Sequence, residues 1–219
     1  MQFTTDHIYH IFNRGNNSQP IFFSRENYLF FLRKIKTHIT PYADILAWCL
    51  MPNHFHLMIY VNNAEVCVNE QENQNGRKRS EQAGKISEQV TESHQHTRKR
   101  SLNDSISIML RSYTRAIQKQ NNITGSLFQH RTKAVCLTEI DGITPAWFHT
   151  NYGTVINIID PEKEYPQVCF NYIHQNPVKS GLVKIPQEWE FSSYPDYTKE
   201  RNGQQVNRER AEEFGLRVL

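Results

Sequence analysis

The chain has 219 residues, 38% of them hydrophobic, and a formal net charge of +3. That length suits one ordinary domain with room for an insertion, and the mild positive charge permits a polyanion partner without requiring one. No run approaches the ~18 apolar residues of a membrane span, and MQFTTDHIYH lacks the charged and apolar regions of a secretion signal, so a soluble cytoplasmic protein with no membrane partner is expected.

Residues His7 to Phe12 predict a first strand, with the cluster Asn13-Arg14-Gly15-Asn16-Asn17 as its exit turn. Ser24 is placed to cap a helix over Arg25 to Ile39, where Tyr28, Phe31, Leu32 and Ile35 recur at helical spacing before Pro41. Asp44 to Leu50 and His54 to Val61 predict two strands around the turn Met51-Pro52-Asn53, a hairpin. From 69 to 100 polar and charged residues dominate, and such a stretch buries too little surface to offset its ordering entropy. A flexible charged insertion is expected there. Its triplets Arg77-Lys78-Arg79 and Arg98-Lys99-Arg100 read as solvated loop, with a strand-guiding basic arm as the alternative.

Leu102 to Gln120 puts Ile106, Leu110, Tyr113 and Ile117 on one helical face, with Arg111, Arg115 and Lys119 roughly opposite. Thr132 to Leu137 predicts a strand, and Pro166 opens a late helix that Pro177 is expected to stop at Asn176. A C-terminal tail is expected from about 198. The plan is α+β over 1–219, with helices covering one face of an antiparallel sheet. The four cysteines, Cys49, Cys67, Cys136 and Cys169, form no CxxC pair and read as free thiols.

The stretch LMPNHFHLMIY carries the most chemistry. On a strand His54 and His56 share one face while Phe55, Leu57 and Ile59 take the other, which predicts a wet face and a dry one. Two imidazoles ~7 Å apart can converge on a divalent metal, but that spacing also suits unrelated histidines. In FNYIHQNPVKSGL, Tyr172 and Asn176 are four residues apart on one helical face, a phenol beside an amide oxygen that can ligate Mg²⁺ or Mn²⁺. Taken singly, each is equally at home as a packing residue.

In this order, HIYHIFNRGNN, CLMPNHFHLMIY, GSLFQHRTKAV and YIHQNPVKSGLV resemble the REP-associated tyrosine transposases and the related single-tyrosine HUH transposases of insertion sequences. The similarity spans the chain apart from the insertion and the tail, with Glu139 to Tyr165 a further departure. The resemblance implies a ferredoxin-like (RRM-like) fold forming a single HUH transposase-like domain. It implies Tyr172 as nucleophile, His54 and His56 as metal ligands with Asn176 as the third, and His174 and Gln175 as rival ligands. It further implies Mg²⁺ or Mn²⁺, single-stranded or hairpin DNA as substrate and partner, a 5′-phosphotyrosine intermediate, and a role in DNA transposition or recombination.

DNA contacts are expected from Arg14, Arg111, Arg115, Lys119, Arg131 and Lys133, with Phe128, Trp147 and Trp189 as stacking candidates. Relatives include monomers and dimers, and a homodimer is the expectation. Tyr60 and Tyr165 are rival nucleophiles, although Tyr60 would stand ~13 Å along the strand from His56. A non-catalytic single-stranded nucleic-acid binder of the same fold and a metal hydrolase with Tyr172 structural remain the alternatives.

Overall fold

A computed structural model of the chain describes residues 1–69, 97–138, 147–150, 153–156 and 161–218, with the backbone alone at 69, 97, 147–150, 153–156 and 161–164. In chain order the elements are β1 (Ile8–Arg14), α1 (Arg25–His38), β2 (Ala43–Met51), β3 (His54–Val61), β4 (Glu65–Asn69), β5 (Thr97–Ser101) and α2 (Leu102–Asn121). Then come β6 (Lys133–Cys136), β7 (Trp147–Thr150), β8 (Gly153–Ile156), α3 (Pro161–Lys179), the single turn α4 (Tyr194–Tyr197) and α5 (Arg208–Glu213). Four strands make an antiparallel sheet in the order β2-β3-β1-β6; β4-β5 and β7-β8 are separate two-stranded ribbons.

The hairpin turns on Pro52-Asn53, with Met51 opposite His54, and β1 lies antiparallel beside β3 with Arg14 opposite His54 and Phe12 opposite His56. Alternation along β3 sends Phe55, Leu57 and Ile59 to a first face, where they pack with Phe31 and Ile35 of α1 and Ile106 and Tyr113 of α2. Each such buried side chain contributes roughly 1.5–3 kcal/mol, so this face holds the sheet and the two helices together.

The second face is not wet, and the helices do not keep to one side. Ile8, Leu46, Ala47, Cys49, Met51 and Met58 are covered by Cys169, Phe170 and Ile173 of α3 and by Ala211 of α5. The cause is legible in β2, which is apolar along nearly its whole length, as a strand buried on both sides must be. An irregularity in its pairing between Ile45 and Ala47 leaves both Leu46 and Ala47 in the second cluster.

Three further expectations change. Helix α3 begins at Pro161 and runs through Pro166 and Pro177 to Lys179, so Pro177 does not stop it at Asn176. Pro177 removes one backbone donor but falls in the last turn, which closes through Ser180 N to Asn176 O and Leu182 N to Pro177 O around Gly181, at φ 69°. The triplet Arg98-Lys99-Arg100 is not loop: it lies in β5, paired with β4, while Arg77-Lys78-Arg79 falls outside the described residues. Nor is the stretch from 198 a tail. Val206 enters the first core cluster, Ala211 and Leu216 the second, and Asn207 N donates to Ile45 O at 2.8 Å. With Phe191 and Ser193 hydrogen-bonded to Leu50 and Trp48, this segment covers the outer edge of β2. Cys49 and Cys169 are buried free thiols, and among the described residues no helix is long and apolar enough to cross a membrane.

Candidate active site

The histidines of β3 stand at the hairpin end of the second face, where α3 packs against β2 and β3. His54 Nδ1 lies 2.6 Å from the side-chain oxygen of Asn53 in the turn, and its Nε2 lies 3.2 Å from Asn176 Oδ1. His56 is 4% exposed; its Nε2 lies 3.4 Å from Asn176 Nδ2 and its Nδ1 2.9 Å from His10 Nε2. Burial lowers the pKa of both imidazoles, against the Asn176 contact at His54 and together with the neighbouring His10 and His54 rings at His56, and Arg14 adds to both, so each ring favours its neutral form with one lone pair.

The hydrogen bonds fix where one of those lone pairs points. Asn53 Oδ1 can only accept, so His54 donates from Nδ1 and its Nε2 is bare. That nitrogen lies 3.2 Å from the Asn176 oxygen, which also only accepts, so a neutral ring that donates to Asn53 leaves this contact open to a second proton or to a cation. Two ligands in adjacent positions around an ion with bonds of ~2.1 Å stand ~3.0 Å apart, so the pair is spaced for a small divalent cation. Among the described residues no three His, Cys, Asp or Glu side chains form a metal-binding group, and the third donor here is an amide. A neutral imidazole pair with one amide oxygen suits Mg²⁺ or Mn²⁺ and leaves positions open for substrate oxygens.

Tyr172, one turn before Asn176 on α3, is 41% exposed, with its ring edge-on to His56 at 5.4 Å. Together with His54, His56, Phe12, Arg14, Arg131 and Lys133 it lines an open cavity of about 320 Å³. No carboxylate is among the lining residues. Three cationic side chains, a phenol and two imidazoles thus line one cavity.

No family model matches the chain, and no curated protein matches it. Among solved structures, the chain is similar to a REP-associated tyrosine transposase bound to a REP hairpin, at 14% identity and a TM-score of 0.49 over 91% of this chain and 83% of that one. What the cavity can do follows from its own side chains.

Of the other expected residues, Arg111 and Arg115 line a second groove of about 460 Å³ that shares Asn13 and Gln129 with the first, whereas Lys119 lines neither. His174 is turned away from the cavity: it is 1% exposed, and its Nε2 meets Ser193 Oγ at 2.8 Å. Gln175 also lines neither space. Tyr60 sits at the far end of β3, donating to Asp6 Oδ1 with the Arg210 guanidinium over its ring, and Tyr165 packs against the second core cluster. Phe128 is a core residue against Phe31 and Phe55 and presents no stacking platform, whereas Trp189 is partly buried against the second core cluster and donates to Leu50 O. Trp147 begins β7, and its side chain lies outside the described residues.

Sequence reasoning missed His10, Asn53 and Asn13. Alternation in IYHIFNR carried the signal for His10, since it sends Ile8, His10 and Phe12 to one face; only the pairing of β1 beside β3 says that this is the face of His56. Asn13, 4% exposed, donates to Gln129 O and Thr132 Oγ1 and so ties the loop bearing Arg131 to β1.

Proposed function

We propose that the chain is a ferredoxin-like HUH transposase domain, a metal-dependent enzyme that cleaves and rejoins single-stranded or hairpin DNA through Tyr172. The observation that carries the reading is the meeting of His54, His56 and Asn176, from a strand and a helix far apart in sequence, beside a half-exposed tyrosine in a cationic cavity. The resemblance of the sequence motifs supplies the DNA substrate, the role in transposition and the homodimer, and the sequence composition supplies the cytoplasmic location. A mass of one chain by light scattering at every concentration would remove the dimer.

His54, His56 and Asn176 would hold Mg²⁺ or Mn²⁺, which when bound polarises a phosphoryl oxygen. Arg14, Arg131 and Lys133 hold the phosphate by charge and hydrogen bonds. The Tyr172 oxygen attacks phosphorus, the bond to the 3′ oxygen breaks, the phenolic proton passes to water and the departing 3′ oxygen takes one up. One phosphodiester replaces another, so reversal with a second 3′-OH joins strands without an external energy source. The neutral state of both histidines supports this reading over one in which they act as acids.

The test is incubation with hairpin oligonucleotides bearing single-stranded flanks, with Mg²⁺ or Mn²⁺, followed by denaturing gels and peptide mass spectrometry. A covalent adduct on the peptide containing Tyr172 is expected. Cleavage without an adduct would identify a water-using hydrolase, and binding without cleavage a non-catalytic module; either result overturns the assignment.

A further inference from the structure

His10 occupies a position on β1 that packing alone does not explain. It follows the buried Ile8 on the second face, is itself 9% exposed, and stacks on Phe12 at 4.7 Å and on His56 at 5.1 Å. An aliphatic side chain would fill that volume without desolvating two polar nitrogens. What the imidazole adds is one hydrogen-bonding atom: its Nε2 lies 2.9 Å from His56 Nδ1.

The direction of that bond follows from the far side of the His56 ring. Asn176 turns its oxygen toward His54 and its Nδ2 toward His56, 3.4 Å from His56 Nε2. An amide nitrogen only donates, so His56 Nε2 is the acceptor and the ring proton sits on Nδ1. His56 therefore donates to His10, and His10 carries its own proton on Nδ1. His54 has the same arrangement, its Nδ1 donating to Asn53. Each imidazole of the pair thus has an outer acceptor of its own, one from the turn and one from the neighbouring strand.

We propose that His10 is a positioning residue: by accepting a hydrogen bond from His56 Nδ1 it holds the His56 Nε2 lone pair toward Asn176 and the cavity, where a divalent cation would bind. This rests on the functional reading above for the identity of the ligand, but the hydrogen-bond direction does not. Such outer partners fix ring orientation and tautomer, and losing one typically weakens metal affinity ~10–100-fold.

Long-range ¹H–¹⁵N NMR of the metal-free protein reads the tautomers directly. His54 and His56 are expected to be protonated on Nδ1 and His10 on Nδ1; a proton on His56 Nε2 overturns the proposal whatever the protein's activity. In His10→Leu, a loss of about 10–100-fold in Mn²⁺ affinity, measured by calorimetry, is expected. His10→Gln, whose carbonyl reaches the place of Nε2, should return affinity to within about threefold of wild type. Thermal melting checks that both variants fold. Unchanged Mn²⁺ binding in His10→Leu, or no rescue by His10→Gln in a folded protein, overturns the role. If wild type forms no Tyr172 adduct while these results hold, the functional reading fails and the positioning role stands.

Discussion

The two faces of the central sheet are both buried, yet they are built differently. On the first, α1 and α2 meet β3 through rings and branched chains, Phe31 lying 5.1 Å from Phe55 and 4.9 Å from Tyr113. On the second, α3 packs Phe170 and Ile173 into an apolar cluster with Met58, and toward the hairpin end it meets β3 through Asn176 against His54 and His56, with His10 of β1 behind His56. Apolar packing tolerates small shifts, whereas a polar network specifies orientation and loses most when one partner is removed. Apolar packing on both faces therefore supplies stability, and the polar hairpin end of the second supplies geometry.

The largest effect expected from this contrast is on the second face. Tyr172→Phe keeps the ring against His56 and deletes only the hydroxyl of a half-exposed residue. Covalent adduct should vanish on denaturing gels while the denaturant midpoint stays put, within about 0.5 kcal/mol. An adduct surviving in this variant would move the nucleophile elsewhere.

Phe31→Ala should show the converse. The side chain is fully buried among Phe22, Phe55 and Tyr113, and its removal leaves a cavity worth ~3–5 kcal/mol of unfolding free energy. Where the variant remains folded, adduct formation per folded molecule should be near wild type. A loss below about 1 kcal/mol in chemical denaturation would mean that the packing around Phe31 contributes little to stability.

Acid tests whether histidine chemistry is confined to the second face. His38, in the last turn of α1, has its pKa lowered to about 4 by burial and by the Lys34 and Arg100 charges from α1 and β5. The unfolded chain takes up that proton near pH 6.5, so between 6.5 and 4 it binds more protons than the folded one. The stability carried by neutral His38 is complete above pH 6.5 and is lost as the pH falls toward 4. In His38→Gln the fall should be shallower by about 1–2 kcal/mol, allowing for the partial exposure of the site. Identical pH profiles for the two proteins would remove this contribution.

The smallest effects belong to the rim. Arg131→Ala and Lys133→Ala should each weaken single-strand binding and reduce its salt slope by about 0.7–1, as loss of one phosphate contact does, while Lys119→Ala should leave both unchanged. Fluorescence anisotropy across a salt series reads this. Equal losses at all three positions would point to a diffuse charge effect in place of the cavity.

Sequence alone determined the local elements. Alternation in HFHLMIYV places His54 and His56 together because side chains two apart on a strand share a face whatever surrounds them. The stripe Ile106, Leu110, Tyr113 and Ile117 emerges on a buried helical face for the same reason, and the Pro52-Asn53 turn closes the hairpin where the apolar runs break. Helical spacing put Tyr172 beside Asn176, and the motif resemblance paired Asn176 with His54 and His56, but neither named His10 or Asn53 as the outer partners of the two rings.

Only the tertiary structure decided which face would be covered. Met58 and Phe170 belong to one cluster across more than a hundred residues of chain, and no local period reports such a contact. The same holds for the docking of Leu216 and for His174, which its helix turns toward Ser193 and away from His54 and His56. Pro177 does not end α3 at Asn176, because the rule against proline assumes a helix free to end there, whereas Ile173 and Asn176 are buried on the turn before it. His10 went unassigned because its meaning lies in a hydrogen bond to a neighbouring strand, a partner that only the pairing of β1 with β3 brings within 2.9 Å.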